Sequence, residues 1–151
     1  MESAHIVHNQ DHFYSVKLSN KVIVEHLLNY GSFKSTKWNV PMFNSNDEKI
    51  EFLRAFYDSE AYVSKYTIRI ESVNETGLLQ IKHLLHQFGI DSRIYQYKRK
   101  NPNWNTNYIL SINNRENRVK FLRCIGFYHS RKQKKLLEYI GSTQTQIAAI
   151  A

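Results

Sequence analysis

Residues 45–61 read Ser45-Asn46-Asp47-Glu48-Lys49-Ile50-Glu51-Phe52-Leu53-Arg54-Ala55-Phe56-Tyr57-Asp58-Ser59-Glu60-Ala61, and the fold turns on how this stretch is buried. Ser45 and Glu48 have the spacing of a capping box, in which a hydroxyl and a carboxylate satisfy the free N–H groups of a helix start. Asp47 and Glu48 also place negative charge at the positive end of the helix dipole. In the helix that follows, Ile50, Leu53, Ala55, Phe56 and Tyr57 occupy much of the circumference. A helix this apolar cannot lie on a surface with one side in water; it requires partners on two sides.

Downstream, the periodicity alternates between strand and helix. Residues 62–71 form one weak strand region that alternates best in its second half, with Tyr66, Ile68 and Ile70 directed to a core and Lys65, Thr67, Arg69 and Glu71 to the opposite face. Residues 77–88 carry a helical stripe, Leu78, Ile81, Leu84, Leu85 and Phe88, closed by Gly89. A strand at 92–98, a polar turn and a strand at 107–113 come next, then a helix ending at Gly126 and a basic helix over 131–140. From residue 46 the order is αββαββα, an α+β class with helices on one face of an antiparallel sheet and the other face open to water. Upstream lie a short strand at 13–18 and a helix over 20–31, capped by Ser19 or Asn20, striped by Val24, Leu27 and Leu28 and closed by Gly31. Residues 32–44 form a connector.

The chain has 151 residues, with 21 Lys and Arg against 13 Asp and Glu, a formal charge of +8. The excess is local: residues 91–135 hold twelve basic side chains against Asp91 and Glu116, and the remainder is slightly acidic. A concentrated cationic face fits a polyanionic partner, and equally a solubilising surface. The single cysteine, Cys124, sits among apolar residues as a small buried hydrophobe and excludes an intrachain disulfide, which fits a reducing cytoplasm. Residues 1–15 lack the basic and apolar pattern of a signal peptide, and no apolar run is long enough for a membrane span. Neither a P-loop nor a dinucleotide-binding glycine pattern occurs. His83 and His86 stand at i, i+3 without a third histidine or a cysteine nearby, which points to surface or packing roles.

Residues 53–61 resemble the nine-residue signature of the LAGLIDADG homing endonucleases. Leu53 takes the first Leu, Ala55 the first Gly, Asp58 the first Asp, Glu60 the second acid and Ala61 the final Gly. The resemblance extends over about 85 residues, through GLLQIKHLLHQFGI, SRIYQYK, RENRVKFLRCIGF and the basic run HSRKQKKL. Arg54 replaces a small residue, and Ala61 replaces the glycine by which the chain leaves the helix. A half-repeat accompanies it: VKLSNKVIVEHLLNYGSFKSTK is similar to LSINNRENRVKFLRCIGFYHSRK, with Leu27 matching Leu122, Gly31 matching Gly126 and Lys37 matching Lys132. Residues 1–44 are thus expected to form a partial lobe, 45–141 a complete saddle-like lobe and 142–151 a tail.

The resemblance implies site-specific, metal-dependent cleavage of double-stranded DNA, with Glu60 as catalytic acid and Mg²⁺ ligand. Asp58 is either a second metal ligand or a structural hydrogen-bonding group. Lys132, with Arg131 as the other choice, would stabilise the transition state, or these residues would only touch phosphates. Lys65, Thr67, Arg69, Arg93, Tyr95 and Tyr97 would face the major groove, Lys98, Arg99, Lys100 and Trp104 the flanking DNA, and Lys37 and Lys134 would also bind DNA. Leu53, Ala55 and Phe56 would form a dimer helix, pairing with a second copy or with a complementary lobe. The other readings of the same resemblance are a DNA-binding protein that no longer cleaves and an RNA-binding splicing helper. A prokaryotic, nucleoid-associated location and an intron or intein origin go with these expectations.

Overall fold

The computed structural model describes residues 5–8, 14–17, 20–28, 34–97, 100–101 and 103–141. Strands β1 (His5–His8) and β2 (Tyr14–Lys17) form an antiparallel pair, followed by helix α1 (Lys21–Leu28). Asn20 caps α1 through its side-chain oxygen, which accepts from the N–H groups of Val22 and Ile23. The expected stripe on α1 is not enclosed, since Val24 is half-buried while Val22, Ile23 and Leu28 are exposed. The expected alternative cap Ser19 and terminator Gly31 lie outside the described residues.

Helix α2 (Asn46–Glu60) begins as its capping box requires, with the Ser45 hydroxyl accepting from the Glu48 N–H at 3.2 Å. The return bond reaches one residue further back, to the N–H of Asn44 at 2.7 Å. Beyond it come β3 (Tyr62–Val63), β4 (Ile68–Ser72), α3 (Glu75–Gln87), β5 (Arg93–Tyr97), β6 (Asn107–Ile112), α4 (Arg115–Cys124) and α5 (Ser130–Ile140). This is the expected αββαββα order, followed by the expected basic helix as α5. The weak strand region resolves into two short strands, and the turn between them lifts Tyr66 out of the core to 70% exposure. The expectation that Tyr66 faces inward therefore fails, because the strand alternation starts only at Ile68.

The sheet has the order β3-β4-β6-β5 and is antiparallel throughout. Ile68 pairs with Ile112, and Ile70 with Leu110, which pairs in turn with Ile94. Ile68, Ile70, Leu110 and Ile112 are fully enclosed with Leu53, Tyr57, Leu78, Ile81, Leu85, Phe121 and Leu136. That core fixes the side of the sheet on which the helices pack. Cys124 is half-buried against it rather than enclosed. Asn74 and Asn114 cap α3 and α4, and Gly89 and Gly126 end those helices with φ of 68° and 66°, a region that disfavours any residue with a Cβ.

The second side of α2 is covered by the connector. Trp38 meets Phe56 at 5.3 Å between ring centroids, Phe43 meets Phe52 at 5.2 Å, and Phe52 stacks on Phe56. The Asn74 amide donates to the Trp38 carbonyl, and the Val40 N–H donates to Gln80. Gly77 leaves room for the Trp38 ring, which comes within 2.4 Å of where a Cβ would stand. Most of the apolar surface of α2 is thus closed within the chain, and Glu51, Ala55 and Ser59 remain as its exposed line.

Candidate nucleic-acid interface and acid site

Two helix ends lock together below the sheet. Both carboxylate oxygens of Asp58 accept main-chain N–H groups just before α5, Tyr128 at 3.0 Å and His129 at 3.1 Å. In return the Lys132 ammonium donates to the carbonyls of Tyr57 at 3.3 Å and Asp58 at 2.7 Å, at the C-terminal end of α2. An anion at one helix start and a cation at the other helix end both complement the macrodipole. Burial lowers the Lys132 pKa from the usual lysine range, opposed by the charges of Asp58 and Glu60. Arg54 ties the same region down: it donates to the Ile125 carbonyl at 2.6 Å and to the Tyr128 hydroxyl, pairs with Glu51 and stacks on the Tyr128 ring. This is why an arginine fits where a small residue was expected: its side chain turns to the α4–α5 junction.

Ala61 leaves α2 with φ −82° and ψ 139°, ordinary extended backbone. The missing glycine therefore costs no strain here. Glu60, one residue earlier, is exposed and lines a cleft of about 520 Å³ with Trp38, Phe56, Glu71 and Asn107. Asp58 is committed to two N–H groups, which leaves Glu60 as the carboxylate at this helix end that no described residue hydrogen-bonds. A carboxylate oxygen of that kind suits a hard divalent cation. On the other side of the helix end, Arg131, Lys132, Lys135 and His129 border a smaller hollow with Tyr62.

The strand register sets the open face of the sheet. Tyr62, Arg69, Ser111 and Arg93 form one row across all four strands, and Glu71, Ile109 and Tyr95 form the next. Tyr62 is flanked by two cations, Arg69 at 4.9 Å and Lys135 at 5.4 Å from its ring centroid, which carries the basic surface from α5 onto the sheet. Arg93, Tyr95 and Tyr97 are exposed on this face, whereas Thr67 is half-buried with its hydroxyl enclosed in the hairpin turn. Lys65 and Lys100 are exposed, as are Lys37, Arg131 and Lys134; Lys98 and Arg99 lie outside the described residues.

The basic segment is less uniform than its composition implies. Arg118 is buried on α4 and donates to the Lys65 carbonyl, Lys120 pairs with Glu116, and Arg115 donates to the Ile140 carbonyl. Arg118 and Arg115 tie α4 to other parts of the lobe while Lys120 pairs within its own helix, and Arg118 is withdrawn from any polyanion surface. Among the described residues no helix is long and apolar enough to cross a membrane.

An α+β lobe with a cationic, aromatic open sheet and an exposed acid at the end of α2 has the form of a nuclease lobe. Comparison with known families agrees: residues 47–126, more than half of the chain, match the LAGLIDADG-like domain, and the chain belongs to that homing-endonuclease-like family. The chain is 32% identical over 108 residues to a replication factor C small subunit of Methanocaldococcus jannaschii, covering 71% of this chain and 6% of that protein. A glutamine–fructose-6-phosphate aminotransferase of the same organism is 32% identical over 94 residues, covering 61% and 9%. An uncharacterized protein of that organism, MJ0398, is 30% identical over 102 residues, covering 61% and 38%.

The lock between α2 and α5 yields a direct expectation. Asp58→Ala removes two charge-assisted acceptors and should lower stability by about 2 kcal/mol, the range of hydrogen bonds to charged groups. Urea denaturation measures it; an unchanged midpoint would mean that the lock carries no weight.

Proposed function

We propose that this protein is a site-specific endonuclease for double-stranded DNA that hydrolyses phosphodiester bonds with a divalent metal, Mg²⁺ by the hardness of its donor. The observation that carries this reading is Glu60: an exposed acid with no hydrogen-bond partner among the described residues, at a helix end whose other acid, Asp58, is engaged by two N–H groups, in a cleft that it shares with Glu71 of the sheet. A metal held there would acidify a water and offset charge on the leaving oxygen. Glu60 supplies the anionic oxygen, Lys132 and Arg131 supply positive charge nearby, and the sheet positions the duplex. Since only one free acid stands at this helix end, cleavage of two strands calls for a second one from a paired α2. Incubating the protein with a library of duplexes, with and without Mg²⁺, tests this; sequencing of the ends should reveal one cut site.

The partner supplying that second acid is proposed to meet the exposed line Glu51, Ala55 and Ser59. It is a second copy, or a separate chain completing the partial lobe of residues 1–44. Because the connector already covers Phe52 and Phe56, the shared helix surface is narrow, and the pair should be sensitive to bulk. Ala55→Arg should shift sedimentation from twice the chain mass to the chain mass; a wild-type protein that sediments at the chain mass alone would exclude the homodimer.

Salt dependence checks the DNA-binding half. Binding to duplex should weaken linearly in log salt, and replacing Lys65, Lys100 and Lys134 together with Ala should reduce the slope by roughly 0.9 for each phosphate that is no longer neutralised. Equal affinity at low and at moderate salt would contradict it.

The relatives support an association with mobile elements. One lobe-sized stretch is shared with proteins of unrelated names and covers under a tenth of two of them, the distribution expected of an inserted element. The presence of a single free acid at the end of α2 also supports a second reading, a DNA-binding protein that no longer cleaves; it predicts duplex binding without Mg²⁺-dependent ends.

A further inference from the structure

The cleft at the end of α2 gathers oxygen atoms from the sheet as well as from the helix. Glu60 lines it from α2, Glu71 from β4 and Asn107 from β6. The strand register explains the meeting. Tyr62 pairs with Arg69, and the same register carried back two residues brings the end of α2 level with Glu71. Glu71 pairs with Ile109, so Asn107, two residues away on β6, shares its face of the sheet as a diagonal neighbour. The Asn107 amide donates to one Glu71 carboxylate oxygen at 3.1 Å, and the Arg69 guanidinium stands 3.4 Å from the other.

Asn107 decides what the cleft is left wanting. It is 7% exposed. A carboxylate oxygen only accepts, so the Asn107 nitrogen must face Glu71 and the side-chain oxygen must face away from it. No described residue donates to that oxygen, and it opens on the cleft instead of being enclosed in the core. A nine-tenths-buried amide with an unused carbonyl oxygen costs stability unless something in the cleft satisfies it. The neighbours define that something. Glu60 accepts from no described residue, and each Glu71 oxygen has one donor where two fit. A group that satisfies three oxygens at once, two of them on carboxylates, is a cation. Neither histidine nor cysteine lines the cleft, so the donors are hard oxygens, and about 520 Å³ gives room for an ion that keeps much of its water.

We propose that Glu71 and the Asn107 side-chain oxygen join Glu60 in holding the divalent ion, so that one lobe carries a complete metal site of its own. This deepens the metal-dependent reading above and rests on it for what the ion is used for; the donor set does not. The sheet thereby takes a second part in the site, beyond positioning the duplex. Asn107 orients Glu71 through its amide nitrogen and offers its oxygen to the ion. Arg69 is the competing cation: it offsets part of the Glu71 charge, while its guanidinium leans on the Tyr62 ring at 4.9 Å. Both members of that pair are about half exposed, so the ion meets a weak competitor.

Titration of the whole chain with Mn²⁺ alone, without DNA, reads the site directly. Paramagnetic broadening in amide-resolved NMR should appear first at residues 60–62 and 71 and at the Asn107 side-chain amide. Glu71→Gln keeps an acceptor for that amide and should weaken Mn²⁺ binding about tenfold or more, as losing a metal-site carboxylate does. Arg69→Gln should tighten it about threefold, the scale of one exposed competing charge; a Glu71 that served only as the partner of Arg69 would give no such gain. One ion should bind per chain, whether the protein sediments as one chain or as two. Wild-type affinity in Glu71→Gln, or half an ion per chain, would overturn the proposal. A protein that cuts duplex while Glu71→Gln binds Mn²⁺ normally keeps the endonuclease reading and loses this site. One that holds Mn²⁺ through Glu71 but cuts no duplex keeps the site and loses the endonuclease.

Discussion

Glu60→Gln should lose Mg²⁺-dependent cleavage on the order of 10³-fold or more, the scale on which a single charge-stabilising group acts in an active site. Duplex affinity should stay level or rise, since the variant removes an anion from a surface that faces phosphates. The substitution keeps shape and leaves the Asp58–Lys132 lock untouched, so folding is not at stake. Cleavage and anisotropy measured on one duplex separate the two effects. Undiminished cleavage would remove Glu60 from the chemistry, and a parallel loss of binding would recast it as a structural group.

The second large effect is on stability. Phe121 is fully buried, with its ring 4.8 Å from that of Tyr57 and 5.3 Å from that of Phe127. It joins α2 to α4 and the turn that precedes α5. Truncation to Ala should cost about 3–5 kcal/mol, because three rigid elements surround the space and cannot collapse into it. A melting temperature lower by roughly 10 °C is expected for a chain of this size. A fall of less than about 1 kcal/mol would mean that the surrounding rings close the gap.

How far the residues announce this architecture differs from place to place. The start of α2 is legible because a Ser and a Glu three residues apart have a local, short-range meaning. The open face of β4 is legible from Ile68 onward because alternation needs no knowledge of neighbours. Tyr66 misleads, since a two-residue strand and a tight turn are shorter than any period that could reveal them. The lock between Asp58 and Lys132 spans 74 residues, and no local pattern encodes such a pairing. Arg118 offers no signal at all: its burial follows from the Lys65 carbonyl, which only the fold brings near. The connector did carry a hint in Trp38, Val40 and Phe43, three apolar residues in a segment without periodicity. They mark a loop that packs.

The ring of Trp38 resting against Gly77 has an evolutionary side. Loops usually absorb added or deleted residues, because nothing holds them in register. Here one indole seats in a slot that a single absent methyl creates, while Asn74 and Gln80 hold the chain on either side. Lengthening or shortening residues 38–43 by one would carry the ring off the slot, and no neighbouring position on α3 offers another. Gaps between descendants of this sequence should accordingly cluster elsewhere, leaving this short stretch constant in length even where its letters drift.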